Sequence, residues 1–281
     1  MKSYSTIIFD LDGTLTDSSQ GIINSIIYAL EKYDINDYEM SLLRKFLGPP
    51  LHESFEKYYG FDKEKSLQAV KLYREYFSTK GLFENEVYCG ITNLLQNLKE
   101  NRKTLIVATS KPQPFTDRIM EHFDLAKYFD FIAGSNMDTT RSKKAEVIEY
   151  ALNECNIKDK SKVVMIGDRA EDMIGARSVG IDSIGVEYGY GTFDELKNAD
   201  ATYIVKTVDE LKNLLSWLNR KLNKKSSLEN PCFRGFQAIF LCFFPTIQKL
   251  QDYHKISQNI TTYHPYKCFP NYSCKHNLFM I

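Results

Sequence analysis

Cysteine is scarce: residues 1–225 hold only Cys89 and Cys155. Two cysteines so far apart do not read as a disulfide framework, so a reducing cytoplasm suits the chain. Each is expected to serve as a small buried hydrophobe. An excess of charge is lacking too, with 36 basic against 36 acidic residues, and nothing in the total points to nucleic acid or an anionic membrane. The opening Met1-Lys2-Ser3-Tyr4 leads directly toward an apolar strand, without the apolar core and cleavage site of a secretory signal, so export is not expected. The strongly apolar stretch from Phe236 to Phe244 is too short to span a bilayer. No G-x-G-x-x-G or G-x-x-x-x-G-K-[ST] stretch occurs, which argues against a bare mononucleotide-binding module. What remains is a soluble chain of 281 residues, 43% hydrophobic, with enough apolar material for one large domain or two modest ones.

The most informative stretch lies near the start, where the apolar run Thr6-Ile7-Ile8-Phe9 ends in Asp10-Leu11-Asp12-Gly13-Thr14. Residues i and i+2 share a face of an extended chain, which aims Asp10 and Asp12 into one small volume. Two carboxylates held together repel and lose hydration unless a cation lies between them or one is protonated. The pair therefore points to a divalent-metal site, to a nucleophile beside a proton donor, or to both. The competing reading is a plain turn whose aspartates bond local amide N–H groups.

Helical spacing follows at Ile22, Ile23, Ile26, Ile27, Leu30 and Tyr33, then again around 42–47, 51–58 and 67–77. No strand pattern interrupts this stretch, so it reads as a separate helical unit inserted between the first and second strands. Gly48-Pro49-Pro50 breaks it with a stiff loop, read either as facing a substrate or as a plain helix connection. His52, just beyond, is read as a surface residue. After Val87 the pattern alternates, with strands expected over 104–108, 131–133, 163–166, 183–186 and 202–205. Helices are expected over 90–101, 115–123, 144–155, 174–179 and 208–222. The fold class is therefore α/β, a doubly wound and mostly parallel sheet. Asp10, Asp12, Thr109 and Asp168 each follow an apolar run, so all four are expected at the carboxyl edge of that sheet, where ligands bind.

Phe9-Asp10-Leu11-Asp12-Gly13-Thr14-Leu15 resembles D-x-D-x-T, the first motif of the haloacid dehalogenase-like phosphohydrolases. Thr109, Lys144 and Gly167-Asp168-x-x-x-Asp172 resemble the three later motifs, in the same order. The likeness spans about residues 5–222 and is nearest to the phosphoglycolate phosphatase-like branch with a helical cap. It implies a core over 1–16 and 84–225 and an α-helical cap domain over 17–83. It also implies that Asp10 attacks phosphorus and that Asp12 serves as general acid and then base. Thr109 and Lys144 would bind the phosphoryl group, and Lys143 is the neighbouring alternative. Thr109 has a competing reading as a helix cap. Mg²⁺ would sit among Asp10, Asp168 and the backbone carbonyl of Asp12. Asp172 would stand beside the metal or hold Lys144. Glu171 and Arg169 are weaker candidates, the latter read as an interface or fold salt bridge. The substrate implied is a small-molecule phosphate ester: phosphoglycolate, a nucleoside monophosphate, a sugar phosphate or pyrophosphate. A β-phosphoglucomutase-like mutase is the near alternative. A phospho-acceptor signalling domain is remoter, because receivers lack a cap insertion.

Residues 226–281 differ in composition, with four of the six cysteines, three of the five histidines and only Glu229 and Asp252 as acids. His264, Cys268, Cys274 and His276 match no zinc-finger spacing. Asn259-Ile260-Thr261 and Asn271-Tyr272-Ser273 form glycosylation triplets of little meaning in a cytoplasmic protein. The tail is expected to be a poorly ordered appendage. A chain ending at about residue 225 is expected to keep its turnover of phosphate esters, and loss of turnover would show that the tail belongs to the enzyme.

Overall fold

The computed structural model describes residues 3–138 and 140–227. Its centre is β1 (Thr6–Phe9), buried on both faces as its unbroken apolar run requires. The chain then forms the short β2 (Thr16–Asp17) and enters α1 (Ser19–Glu31), α2 (Met40–Leu43), α3 (Leu51–Tyr59) and α4 (Lys63–Tyr76). A π-helical turn over Phe77–Gly81 leads out of α4 and back through β3 (Glu86–Val87). β2 and β3 pair antiparallel, so the helical insert leaves and rejoins the sheet through a two-stranded ribbon. The sequence pattern gave no sign of that ribbon, because two-residue strands carry no periodicity.

The alternating part runs through α5 (Ile91–Glu100), β4 (Thr104–Pro112), α6 (Gln113–His122), β5 (Phe131–Ser135), α7 (Lys144–Glu154) and β6 (Val163–Gly167). It continues through α8 (Ala170–Val179), β7 (Asp182–Val186), α9 (Phe193–Asn198), β8 (Tyr203–Val205) and α10 (Val208–Ser227). The large sheet has the order β5-β4-β1-β6-β7-β8, with every pair parallel. This is the expected doubly wound α/β fold. Helices extend a few residues beyond the expected limits at α8 and α10, and α9 is an addition.

Side-chain alternation assigns each strand to two layers. Ile7 and Phe9 join Leu105, Val107, Val164 and Ile166 in a core shared with Leu94, Leu98, Leu211 and Leu215. Ile8 joins Ile106, Ala108 and Met165 in the opposite core, with Val147, Ile148, Ala176 and Val179. Within the insert, α1 and α3 both pack on α4, and Phe46, Phe55, Tyr59 and Phe61 form an aromatic knot, Phe55 stacking on Phe61 at 5.9 Å. Cys89 is exposed and Cys155 half-buried, so neither is the buried hydrophobe expected of it. Among the described residues no helix is long and apolar enough to cross a membrane. The Phe236–Phe244 run, the His/Cys cluster and both glycosylation triplets lie outside the described residues.

Ile8 is fully buried at the midpoint of the central strand. Ile8→Ala is expected to cost about 2–5 kcal/mol through lost burial and a residual cavity, read as a lower urea midpoint with unchanged slope.

Candidate active site

Connections from β1 run to β4 and β5 on one side, and the chain then returns to place β6 on the other side of β1. That reversal makes the carboxyl ends of β1 and β6 the switch point at which such sheets open a crevice. Asp10 follows β1 and Asp168 follows β6, so two acids stand on the two sides of the crevice. Beyond Asp10 the chain closes a tight loop, with the N–H groups of Leu15 and Thr16 both donating to the Leu11 carbonyl. Gly13 turns this loop at φ 75°, and a side chain there would strike the Asp168 carboxylate.

Lys144, at the start of α7, is buried. Its Nζ lies 2.8 Å from Asp10 Oδ1 and 2.9 Å from Asp172 Oδ1, and donates to the Ala108 carbonyl at 3.2 Å. Burial alone would lower the ammonium pKa, but Asp10 and Asp172 together outweigh it and hold the group above its ordinary value. Lys143 is exposed one residue earlier, so helix geometry sends Lys144 inward in its place.

Asp168 is fully buried; its Oδ1 accepts from the Thr14 hydroxyl at 3.2 Å and its Oδ2 from the Tyr190 N–H at 2.7 Å. Burial, then Asp172 and Asp10, push its carboxyl well above the usual range. Asp172 accepts the Arg169 N–H at 3.1 Å, capping α8, and burial against the pull of Lys144 pushes its carboxyl up to about 6. Ligand oxygens of Asp10, Asp168 and Asp172 lie within 4.8 Å of one another. Lys144 pairs with two of these three buried acids, and the all-oxygen donor set with an excess of negative charge fits a hard divalent cation. Asp172, expected beside the metal or holding Lys144, pairs with Lys144 at 2.9 Å and stands inside this cluster.

Asp12 lies outside that three-acid cluster. Its Oδ2 pairs with Lys111 Nζ at 3.0 Å, and that ammonium in turn lies 4.6 Å from the ring centre of Phe77 in the insert. β4 runs on through Thr109 to Pro112, with a break in register between Ala108 and Pro112. Such irregularities re-aim side chains beside sites. Thr109 accepts the Lys111 N–H at 3.2 Å instead of capping α6, leaving its own hydroxyl hydrogen to donate. Arg169 bonds Glu195 at 2.7 Å and also the Leu47 carbonyl, so the Gly48-Pro49-Pro50 connection touches the core beside Asp168. His52 is exposed on α3.

Lys111 and Tyr190 are the residues that sequence reasoning passed over. Tyr190 donates its N–H to Asp168, while its hydroxyl accepts the Ser18 N–H at 2.8 Å and donates to Asp17 at 3.2 Å, tying the acid cluster to the ribbon. Gly189 before it has no room for a side chain against the Gly13 carbonyl and Asp168. The glycine-flanked Tyr188-Gly189-Tyr190-Gly191 was a visible signal of close backbone approach. Lys111 offered none beyond its place in Thr109-Ser110-Lys111-Pro112.

The haloacid dehalogenase-like hydrolase family model matches residues 7–186. A 5'-nucleotidase from Pseudomonas aeruginosa is 42% identical over 212 residues, 75% of this chain and 96% of its own length. Tyrosine-protein kinase PtkA of Mycobacterium tuberculosis is 37% identical over 216 residues, 76% of this chain and 73% of its own. The crystal structure of a predicted phosphatase from Clostridium acetobutylicum shares 52% identity at a TM-score of 0.72, covering 76% of this chain and 98% of that one. A family match over most of the sheet, with its motifs gathered at the switch point, makes this chain an enzyme of the haloacid dehalogenase-like hydrolase family.

Proposed function

We propose that this hydrolase is a Mg²⁺-dependent phosphatase of small phosphomonoesters, working through a phosphorylated Asp10. The observation that carries the reading is Lys144, 2.8 Å from Asp10 and 2.9 Å from Asp172, within a cluster of three buried acids. Phosphoryl transfer asks a protein mainly to position groups and balance charge, and this edge has the parts for both.

In the first step an Asp10 oxygen bonds to phosphorus while the bond to the leaving oxygen breaks, and Asp12 gives that oxygen a proton. In the second, Asp12 takes a proton from water, the water oxygen bonds to phosphorus, and the bond from Asp10 breaks to free orthophosphate. Thr109 donates its hydroxyl hydrogen to a phosphoryl oxygen, and Lys144 neutralises the nucleophile and the incoming group. Asp10, Asp168 and Asp172, with the Asp12 backbone carbonyl, are the residues that would hold Mg²⁺, which when bound supplies positive charge beside the phosphoryl oxygens.

Helices between β2 and β3 act in this reading as a cap, supported by their connection through a two-stranded ribbon and by the approach of Phe77 and Leu47 to the sheet edge. The 5'-nucleotidase relative supports nucleoside 5'-monophosphates as the first substrates to try. The phosphatase neighbour at 52% identity supports hydrolysis over transfer to another acceptor.

Phosphate release from a panel of such esters is expected with Mg²⁺ and is expected to fall to background in EDTA. Asp10→Asn, which keeps the side-chain shape, is expected to lose about 10³-fold or more in kcat with its unfolding midpoint within a few degrees of wild type. Wild-type turnover in that variant would reject the covalent route, and full activity in EDTA would reject the metal.

A further inference from the structure

We propose that Lys111 is a positioning residue for Asp12, fixing the carboxyl that protonates the leaving group; the inference rests on the phosphatase reading above. The Lys111 side chain is only 6% exposed, and its Nζ has taken one particular oxygen of Asp12, Oδ2, at 3.0 Å. Oδ1 is buried and has no hydrogen-bond partner among the described residues. A shielded oxygen left unpaired is costly, whereas in a reacting complex the leaving oxygen of the ester supplies the missing partner. Because the ammonium occupies Oδ2, the proton to be transferred belongs on Oδ1.

Lys111 is itself held. Its ammonium lies over the Phe77 ring at 4.6 Å, and Phe77 is fixed by stacking on Tyr73 at 5.2 Å and by the edge contact of Phe115 at 5.6 Å. The register break after Ala108 sends Lys111 to this position from a strand that would otherwise alternate regularly. Two lysines thus divide the two acids of the first loop. Lys144 pairs with the carboxyl that attacks, and Lys111 with the carboxyl that protonates.

A residue that acts through a general acid matters only where the leaving group needs a proton. The test compares kcat/KM, which reports the steps through departure of the leaving group, for glycerol phosphate and for 2,4-dinitrophenyl phosphate, whose phenolate leaves unprotonated. Wild type, Lys111→Met, Asp12→Asn and the double variant are measured with Mg²⁺. Lys111→Met is expected to lose roughly 100-fold on the alkyl ester and only about 3-fold on the dinitrophenyl ester, as is expected of any variant that spares the attack itself. The double variant is expected to fall within about 2-fold of Asp12→Asn alone, because a positioning residue adds nothing once its target is gone. Equal losses on both esters, or additive losses in the double variant, would overturn the inference while leaving the phosphatase reading intact. Release from neither ester by wild type would overturn both. If Lys111→Met does not fold, Lys111→Gln carries the same comparison, with the same sign expected.

Discussion

Lys144 lies 2.8 Å from Asp10 and 2.9 Å from Asp172, and Asp168 belongs to the same cluster of buried acids without an ion pair of its own to that ammonium. Taking a single charge out of water costs several kcal/mol after relaxation, and it is recovered only with close partners and further hydrogen bonds. The cluster has some of these: Asp168 accepts from Thr14 and Tyr190, and Asp172 accepts from the N-terminus of α8. The charge count still does not close. Burial first, and then the neighbouring acids, push Asp168 and Asp172 above the ordinary carboxylate range, with Lys144 pulling Asp172 back. A hydrophobic core alone would not select such an arrangement, whereas a site built to receive a divalent cation and a phosphoryl group would.

The rest of the fold serves that constraint. β1 and β6 are adjacent and parallel, and their shared switch point puts Asp10 and Asp168 side by side without long loops. α7 brings Lys144 up from the opposite core, where Val147 and Ile148 anchor the same helix. Backbone must approach the acids closely from the β7 side, which is why Gly189 cannot carry a side chain. Tyr190 then joins the acids to the ribbon on which the insert hangs.

Much of this was legible in the sequence for a physical reason. Strands buried on both faces read as unbroken apolar runs, and a polar residue at the end of each run marks the sheet edge, so Asp10 and Asp168 declared their common position. The choice between Lys143 and Lys144 was not legible from charge, since both carry it; burial on α7 separates them. Lys111 was hidden because a lysine in a loop-like stretch is ordinarily solvated, and only the register break in β4 and the Phe77 ring make it a buried partner of Asp12. The ribbon of β2 and β3 was hidden because strands of two residues leave no pattern. Cys89 was misjudged because small apolar character says nothing of position on a loop.

The central claim is that the acids gathered at the ends of β1 and β6 exist to hold a cation that Lys144 alone cannot replace. Calorimetric titration of Mg²⁺ into the wild-type chain and into Asp168→Asn tests this without any assumption about substrate. The account predicts saturable binding to wild type and its loss, by at least about tenfold in affinity, in the variant. Equal binding by the two proteins would contradict it.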